Sequence, residues 1–149
     1  MSVLKGKNVL LGVTGSIAAY KSIILLRLLK KEGADVQVIF SDSANNFVTQ
    51  LTFSTLSEKK VLTDFFEDDK KVDWVNHVEL AEWADYMIIA PITSSTLSKL
   101  VSGNADNLLV ATYMSTKCDV FFAPAMDLEM YNSKSTKKNI KNLVGRGNI

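Results

Sequence analysis

At 149 residues, with 47% hydrophobic and 22% charged side chains, the chain has the composition of an ordinary soluble globular domain, long enough to bury a core. A formal net charge of +1 offers no basic field to nucleic acid or to an anionic membrane, and no apolar run nears the roughly 20 residues of a membrane-spanning helix. The single cysteine, Cys118, excludes an internal disulfide and fits a reducing cytoplasm; with one histidine and no cysteine cluster there is no ligand set for a metal.

The N-terminal run MSVLKGKNVLLGVTGS enters a strand without a cleavage-site pattern, so mature sequence is expected. Residues 8–13 (NVLLGV) predict a buried parallel strand, bounded by Gly6 and by Thr14-Gly15-Ser16. A helix is predicted over 17–31, with Ser16 as N-cap, an apolar stripe of Ile17, Tyr20, Ile24, Leu25 and Leu28, and Gly33 as its end. Residues 34–40 (ADVQVIF) predict the second strand, which completes a βαβ unit with a right-handed crossover. Ser41-Asp42-Ser43 then caps a helix carrying Phe47 and Val48. Residues 52–57 and 61–66 fit no single pattern, and 67–71 (EDDKK) are expected to be a solvated charged loop.

The only histidine, His77, precedes a short predicted helix over 78–83 and a buried strand over 86–90 that stops at Pro91. Thr93, Ser94, Ser95 and Thr96 open a helix expected to run to about 101 and to break at Gly103. Asp106 is placed to cap a helix over 107–114. Residues 119–123 (DVFFA) predict another buried strand, ended by Pro124, and residues 133–143 a last helix. Strand and helix alternate throughout, which predicts an α/β fold. The expected form is a three-layer sandwich around a mostly parallel, Rossmann-like or flavodoxin-like sheet.

In such sheets ligands sit outside the carboxyl ends of the strands. Four strand ends carry suitable chemistry: 14–16, Ser41, 91–96 and 124–131. Gly15 and Ser16 offer free backbone N–H groups to an anion, or are simply the tight first turn of a doubly wound fold; neither Walker A nor a full GxGxxG spacing is present. Ser41 either bonds a ribose or ribityl hydroxyl or caps its helix. His77 is either a satisfied surface residue or a general acid–base group. Asp127 is either a helix cap or part of a flexible wall with Met126, Met130 and Tyr131. No GxSxG elbow supports a Ser-His-Asp hydrolase.

Four stretches carry a resemblance: GVTGSIAAYK (12–21), NHVELAEWAD (76–85), PITSST (91–96) followed by GNADNLL (103–109), and PAMDLEMY (124–131). In this order they resemble the motifs of the flavin-containing cysteine decarboxylases, over nearly the whole chain. Within that family they resemble specifically the branch that acts on 4′-phosphopantothenoylcysteine in coenzyme A biosynthesis. The resemblance implies FMN held by Gly15, Ser16 and Ile17, by Ser41, and by Thr93, Ser94, Ser95 and Thr96. It implies that His77 is the acid–base residue while the substrate's cysteine is oxidised to a thioaldehyde, which then loses carbon dioxide to leave an enethiolate. Asp127 and Met130 would lie at the substrate. The expected product is 4′-phosphopantetheine, the expected assembly a homotrimer or homododecamer, and the expected location the cytoplasm.

This sequence departs from the family pattern at Ser95 and Asp127, each standing where an asparagine is usual. The family's later cysteine-bearing segment and the synthetase domain of many relatives have no counterpart in residues 1–149. A single flavoprotein domain, shortened at its C-terminal side, is therefore expected. The alternatives are an FMN-binding regulatory or catalytically incomplete homologue, and a peptidyl-cysteine decarboxylase. A flavin prenyltransferase is disfavoured, because Arg27 and Arg146 are the only arginines available for a prenyl phosphate.

Overall fold

The computed structural model describes residues 2–66 and 74–149; the charged loop expected at 67–71 lies outside the described residues. Four strands, β1 (Asn8–Val13), β2 (Asp35–Phe40), β3 (Tyr86–Ile92) and β4 (Asp119–Pro124), pair in parallel in the order β2-β1-β3-β4. Strand alternation sends successive side chains to opposite faces, so one face of the sheet offers Val9, Leu11 and Val13 and the other Leu10, Met87 and Ile89. Helices α1 (Lys21–Lys31) and α2 (Gln50–Ser57) cover the first face, where Leu26, Leu29 and Phe53 are buried. The second face is covered by α3 (His77–Trp83), α4 (Ser94–Ser102), α5 (Leu108–Ser115) and α7 (Lys134–Gly145), with α6 (Leu128–Asn132) as a short turn before α7. This is the three-layer α/β sandwich expected. Gly12 lets α5 lie close on the sheet, since a Cβ there would sit 2.7 Å from Leu109 Cδ1.

The structure alters several local expectations. A 3₁₀ turn (Ile17–Tyr20), capped by Ser16, precedes α1, and the predicted apolar stripe faces outward: Ile17, Tyr20, Ile24 and Leu28 are exposed and Leu25 is half-buried. The buried face is Ala19, Ser22, Leu26 and Leu29, a set with the same helical period but smaller side chains at its start. The helix expected after Ser41 shrinks to a 3₁₀ turn (Asp42–Asn46), and Phe47 is exposed beyond it. The first ambiguous segment is α2, capped by Thr49. In the second, Leu62 pairs in parallel outside β2, its N–H donating to the Val38 carbonyl at 3.1 Å and its carbonyl accepting from the Phe40 N–H at 2.8 Å.

β3 does not stop at Pro91 but runs to Ile92 through a cis Ala90–Pro91 bond. Pairing with β4 shifts between Ile89 and Ile92, so the donor that proline lacks falls where the ladder is already interrupted. β4, expected to be buried, stands last in this strand order with only Val120 buried among the described residues, and Ile149 exchanges backbone hydrogen bonds with its Val120 and Phe122. Its apolar run carries no periodicity that separates buried from exposed positions. Asn107 rather than Asp106 caps α5, accepting from the Val110 N–H at 3.0 Å, while Asp106 pairs with Lys99 at 3.0 Å.

Candidate functional site

β1 lies between β2 and β3, so the connections leave it in opposite directions and the carboxyl ends of β1 and β3 bound a crevice. Thr14 locks these two ends together. Fully buried, its hydroxyl donates to the Pro91 carbonyl at 2.7 Å and accepts from the Thr93 N–H at 3.0 Å. Ser22, buried on α1, donates to the Ala90 carbonyl and draws the helix start onto the same corner. Sequence reasoning missed Ser22; a small polar residue at a core-facing helical position was the available signal.

The turn at the end of β1 also touches the turn at the end of β2. Gly15 abuts Ser43 so closely that a Cβ would overlap the serine side chain. The Ser43 hydroxyl in turn lies 3.3 Å from that of Ser41, and the Ser41 N–H donates to the Val13 carbonyl at 3.0 Å. Ser16 spends its hydroxyl accepting from the Ala18 N–H at 3.1 Å. Ile17 is 79% exposed and packs against none of this.

Thr93 is the N-cap of α4 rather than its first residue: its hydroxyl oxygen accepts from the Thr96 N–H at 3.2 Å, and Thr96 is buried. The hydroxyls of Ser94 and Ser95, and the backbone N–H groups of the same two residues, have no partner among the described residues. The end of β4 joins them through the Ala125 N–H, which donates to the Ile92 carbonyl at 3.1 Å. Asp127 caps α6, its carboxylate accepting from the Met130 N–H at 2.9 Å, and Met130 and Tyr131 are exposed beside it.

His77 opens α3. The far end of that helix is tied to the start of β1, where the Asn8 amide donates to the Trp83 carbonyl at 3.0 Å and the Asp85 N–H to the Asn8 carbonyl at 2.8 Å. At about 1.5 Å per residue, α3 runs back about 10 Å, so its first residue lies toward the carboxyl ends of the strands. Asn76, a cap the sequence reading passed over, fixes that start by accepting from the N–H groups of Val78 at 3.0 Å and Glu79 at 3.2 Å. The imidazole lies against Phe65, ring centroids 6.0 Å apart and planes at 83°. Its Nδ1 is buried with no partner among the described residues.

A cleft of about 300 Å³ opens between the start of α1 and the ends of β3 and β4, lined by Lys21, Ser22, Pro91, Pro124 and Ala125 among others. A larger one, about 680 Å³, opens at the opposite end of the sheet around Cys118, Asp119 and Val120. The strand ends are the candidate site, because the backbone donors and uncommitted hydroxyls of the four turns converge there and α3 begins, with His77, toward the same end of the sheet. Cys118, whose thiol burial pushes up from its ordinary pKa, precedes β4 at the far end and is some 20 Å away at about 3.3 Å per strand residue. Among the described residues no group of three or more His, Cys, Asp or Glu could hold a metal, and no helix is long and apolar enough to cross a membrane.

Comparison with known proteins bears on this arrangement. The family described as Flavoprotein matches residues 2–149. The coenzyme A biosynthesis bifunctional protein CoaBC of Bacillus subtilis is 41% identical over 145 residues, covering 97% of this chain but only 36% of its own length. Among solved structures, a mutant PPC decarboxylase complexed with pantothenoylaminoethenethiol is 32% identical with a TM-score of 0.83, over 95% of this chain and 79% of that one. The FMN-binding protein AtHal3 is 31% identical with a TM-score of 0.83, over 96% of this chain and 78% of that one.

Proposed function

The chain belongs to the Flavoprotein family, and from that premise we propose that it binds FMN at its strand ends and decarboxylates 4′-phosphopantothenoylcysteine to 4′-phosphopantetheine. The observation that carries the reading is the convergence of Gly15, Ser41, Thr93 and Asp127 on one rim, drawn together by the buried Thr14 and by Ser43. The relatives support it: one carries coenzyme A biosynthesis in its name, one binds FMN, and one holds a pantothenoyl enethiol.

The residues present fit FMN. The unpaired N–H groups and hydroxyls at the start of α4 suit an anion or the polar edge of a ring. The absent side chain at Gly15 lets the Ser43 turn close against the first turn, and exposed Ile17, Tyr20 and Met130 offer apolar surface for a flat ring. Gly15, Ser16, Ile17, Ser41, Thr93, Ser94, Ser95 and Thr96 are the residues assigned to hold it. When bound, FMN supplies the two-electron oxidant for the substrate's cysteine.

The chain itself supplies position and a proton acceptor. With Nδ1 buried, Nε2 of His77 is the nitrogen left to take the proton from the cysteine sulfur. Asp127 and Met130 border the substrate from α6, Asp127 with one carboxylate oxygen already engaged by its own helix. We further propose that the site works in a homotrimer or homododecamer in the cytoplasm; the exposed apolar stripe of α1 that begins at the site's edge supports self-association. The test is to titrate the purified protein with FMN, add 4′-phosphopantothenoylcysteine, and follow carbon dioxide and product mass, with a peptide ending in cysteine as the control substrate. Failure to take up FMN, or preference for the peptide, would overturn the assignment.

A further inference from the structure

Catalytic histidines are ordinarily held in place by a hydrogen bond to the nitrogen that does not react. Here that nitrogen, Nδ1, is buried and finds no such partner among the described residues, and the imidazole stands edge-on to the Phe65 ring. Phe65 is itself firmly placed. Its N–H donates to the Asp64 carboxylate at 2.7 Å, and its carbonyl accepts from the Val75 N–H at 2.6 Å, two residues before His77. The next residue, Phe66, bridges Trp74 in antiparallel fashion, and Phe65 packs on the same core cluster as Leu62, Val75 and Leu80. The segment after β2 and the start of α3 are thus tied into one small corner, with the Phe65 ring as the wall against which the imidazole stands.

We propose that Phe65 is a positioning residue that orients the His77 imidazole by packing, in the role a hydrogen-bonding carboxylate or carbonyl plays elsewhere. The proposal rests on the reading of His77 as the acid–base group. Its chemistry is steric: a flat apolar side chain stops the ring from turning about χ2, so Nε2 keeps one direction without a second bonded partner.

Because His77 is the only histidine, its Cε1–H gives a single imidazole signal, and ring motion can be followed by ¹³C relaxation without assignment. Phe65→Ala is expected to leave FMN affinity and KM within roughly twofold while lowering kcat about ten- to a hundredfold, with the imidazole signal turning mobile. Phe65→Leu, which restores an apolar wall of similar volume, is expected to recover most of kcat and the rigid signal. Should Phe65→Ala fail to fold, Phe65→Val removes the same reach at less cost to packing and carries the same expectation. A rigid imidazole in the small variant, or a leucine variant as impaired as the alanine one, overturns the proposal. If the FMN-loaded parent protein does not decarboxylate, the functional reading falls instead, and the relaxation comparison still decides what Phe65 does.

Discussion

Thr14 shows how much of the site's architecture rests on one hydroxyl. It satisfies the carbonyl of Pro91 and the N–H of Thr93 at once, in a position with no access to water. Thr14→Val keeps the shape and removes both side-chain bonds; the Pro91 carbonyl retains the backbone N–H of residue 14 at 3.3 Å, but the half-buried Thr93 N–H is left unpaired, at a cost of about 1–3 kcal/mol. The expected outcome is a lower denaturation midpoint together with weaker FMN binding, read by a denaturant series and a flavin titration; stability and binding that match the parent protein would show that the corner is held otherwise. Thr14 was visible in sequence only as part of a strand-end turn. Its partners lie 77 and 79 residues away, and no spacing rule reaches across that distance. Gly15 was singled out, but its closeness to Ser43 was not legible for the same reason.

At the level of elements, caps and ion pairs decide where helices begin. Lys99 and the Asn107 amide favour the ionised Asp106 carboxylate and hold its pKa below the ordinary value of 3.8. A depressed carboxyl contributes stability above its unfolded pKa, and the contribution is lost as pH falls through the lower folded value. Because the pair is solvent-exposed, the contribution is expected to be small. Asp106→Asn should therefore lower the midpoint slightly at neutral pH, with the gap to the parent protein closing in acid; a gap that persists at low pH would assign the effect to something other than charge. The four strands and most helices were legible because apolar runs and helix breakers report local structure directly. Three features were not. β4 reads as a buried strand because its run is apolar throughout, whereas among the described residues only its Val120 is buried. Pro91 reads as a strand exit because a missing N–H usually ends a ladder, and here it falls in a gap of the ladder. Ile17, Tyr20, Ile24 and Leu28 read as the core face of α1 because the largest apolar side chains are normally buried, whereas Ala19 and Ser22 take that place.

For the whole molecule, that outward stripe is the surface on which the proposed assembly would form, and its start at Ile17 and Tyr20 adjoins the turn proposed for FMN. A charge placed there and buried unpaired costs on the order of 3–5 kcal/mol, or roughly a hundredfold or more in association. Ile24→Asp is expected to sediment as a folded monomer with reduced FMN affinity; an unchanged oligomer would place assembly on another surface. The fold and family frame were legible in the sequence, partly through motifs, and the strand-end site and the role of the lone histidine are proposed on the same motifs. How His77 is held was not, since Phe65 belongs to a segment without clear periodicity.

The most direct measurement compares the FMN-loaded parent protein with His77→Asn in single-turnover decarboxylation of 4′-phosphopantothenoylcysteine. The expected result is equal FMN content in both proteins, with carbon dioxide released by the parent and none by the variant. Turnover by His77→Asn at the parental rate, or no carbon dioxide from the FMN-loaded parent, would contradict the assignment of this site.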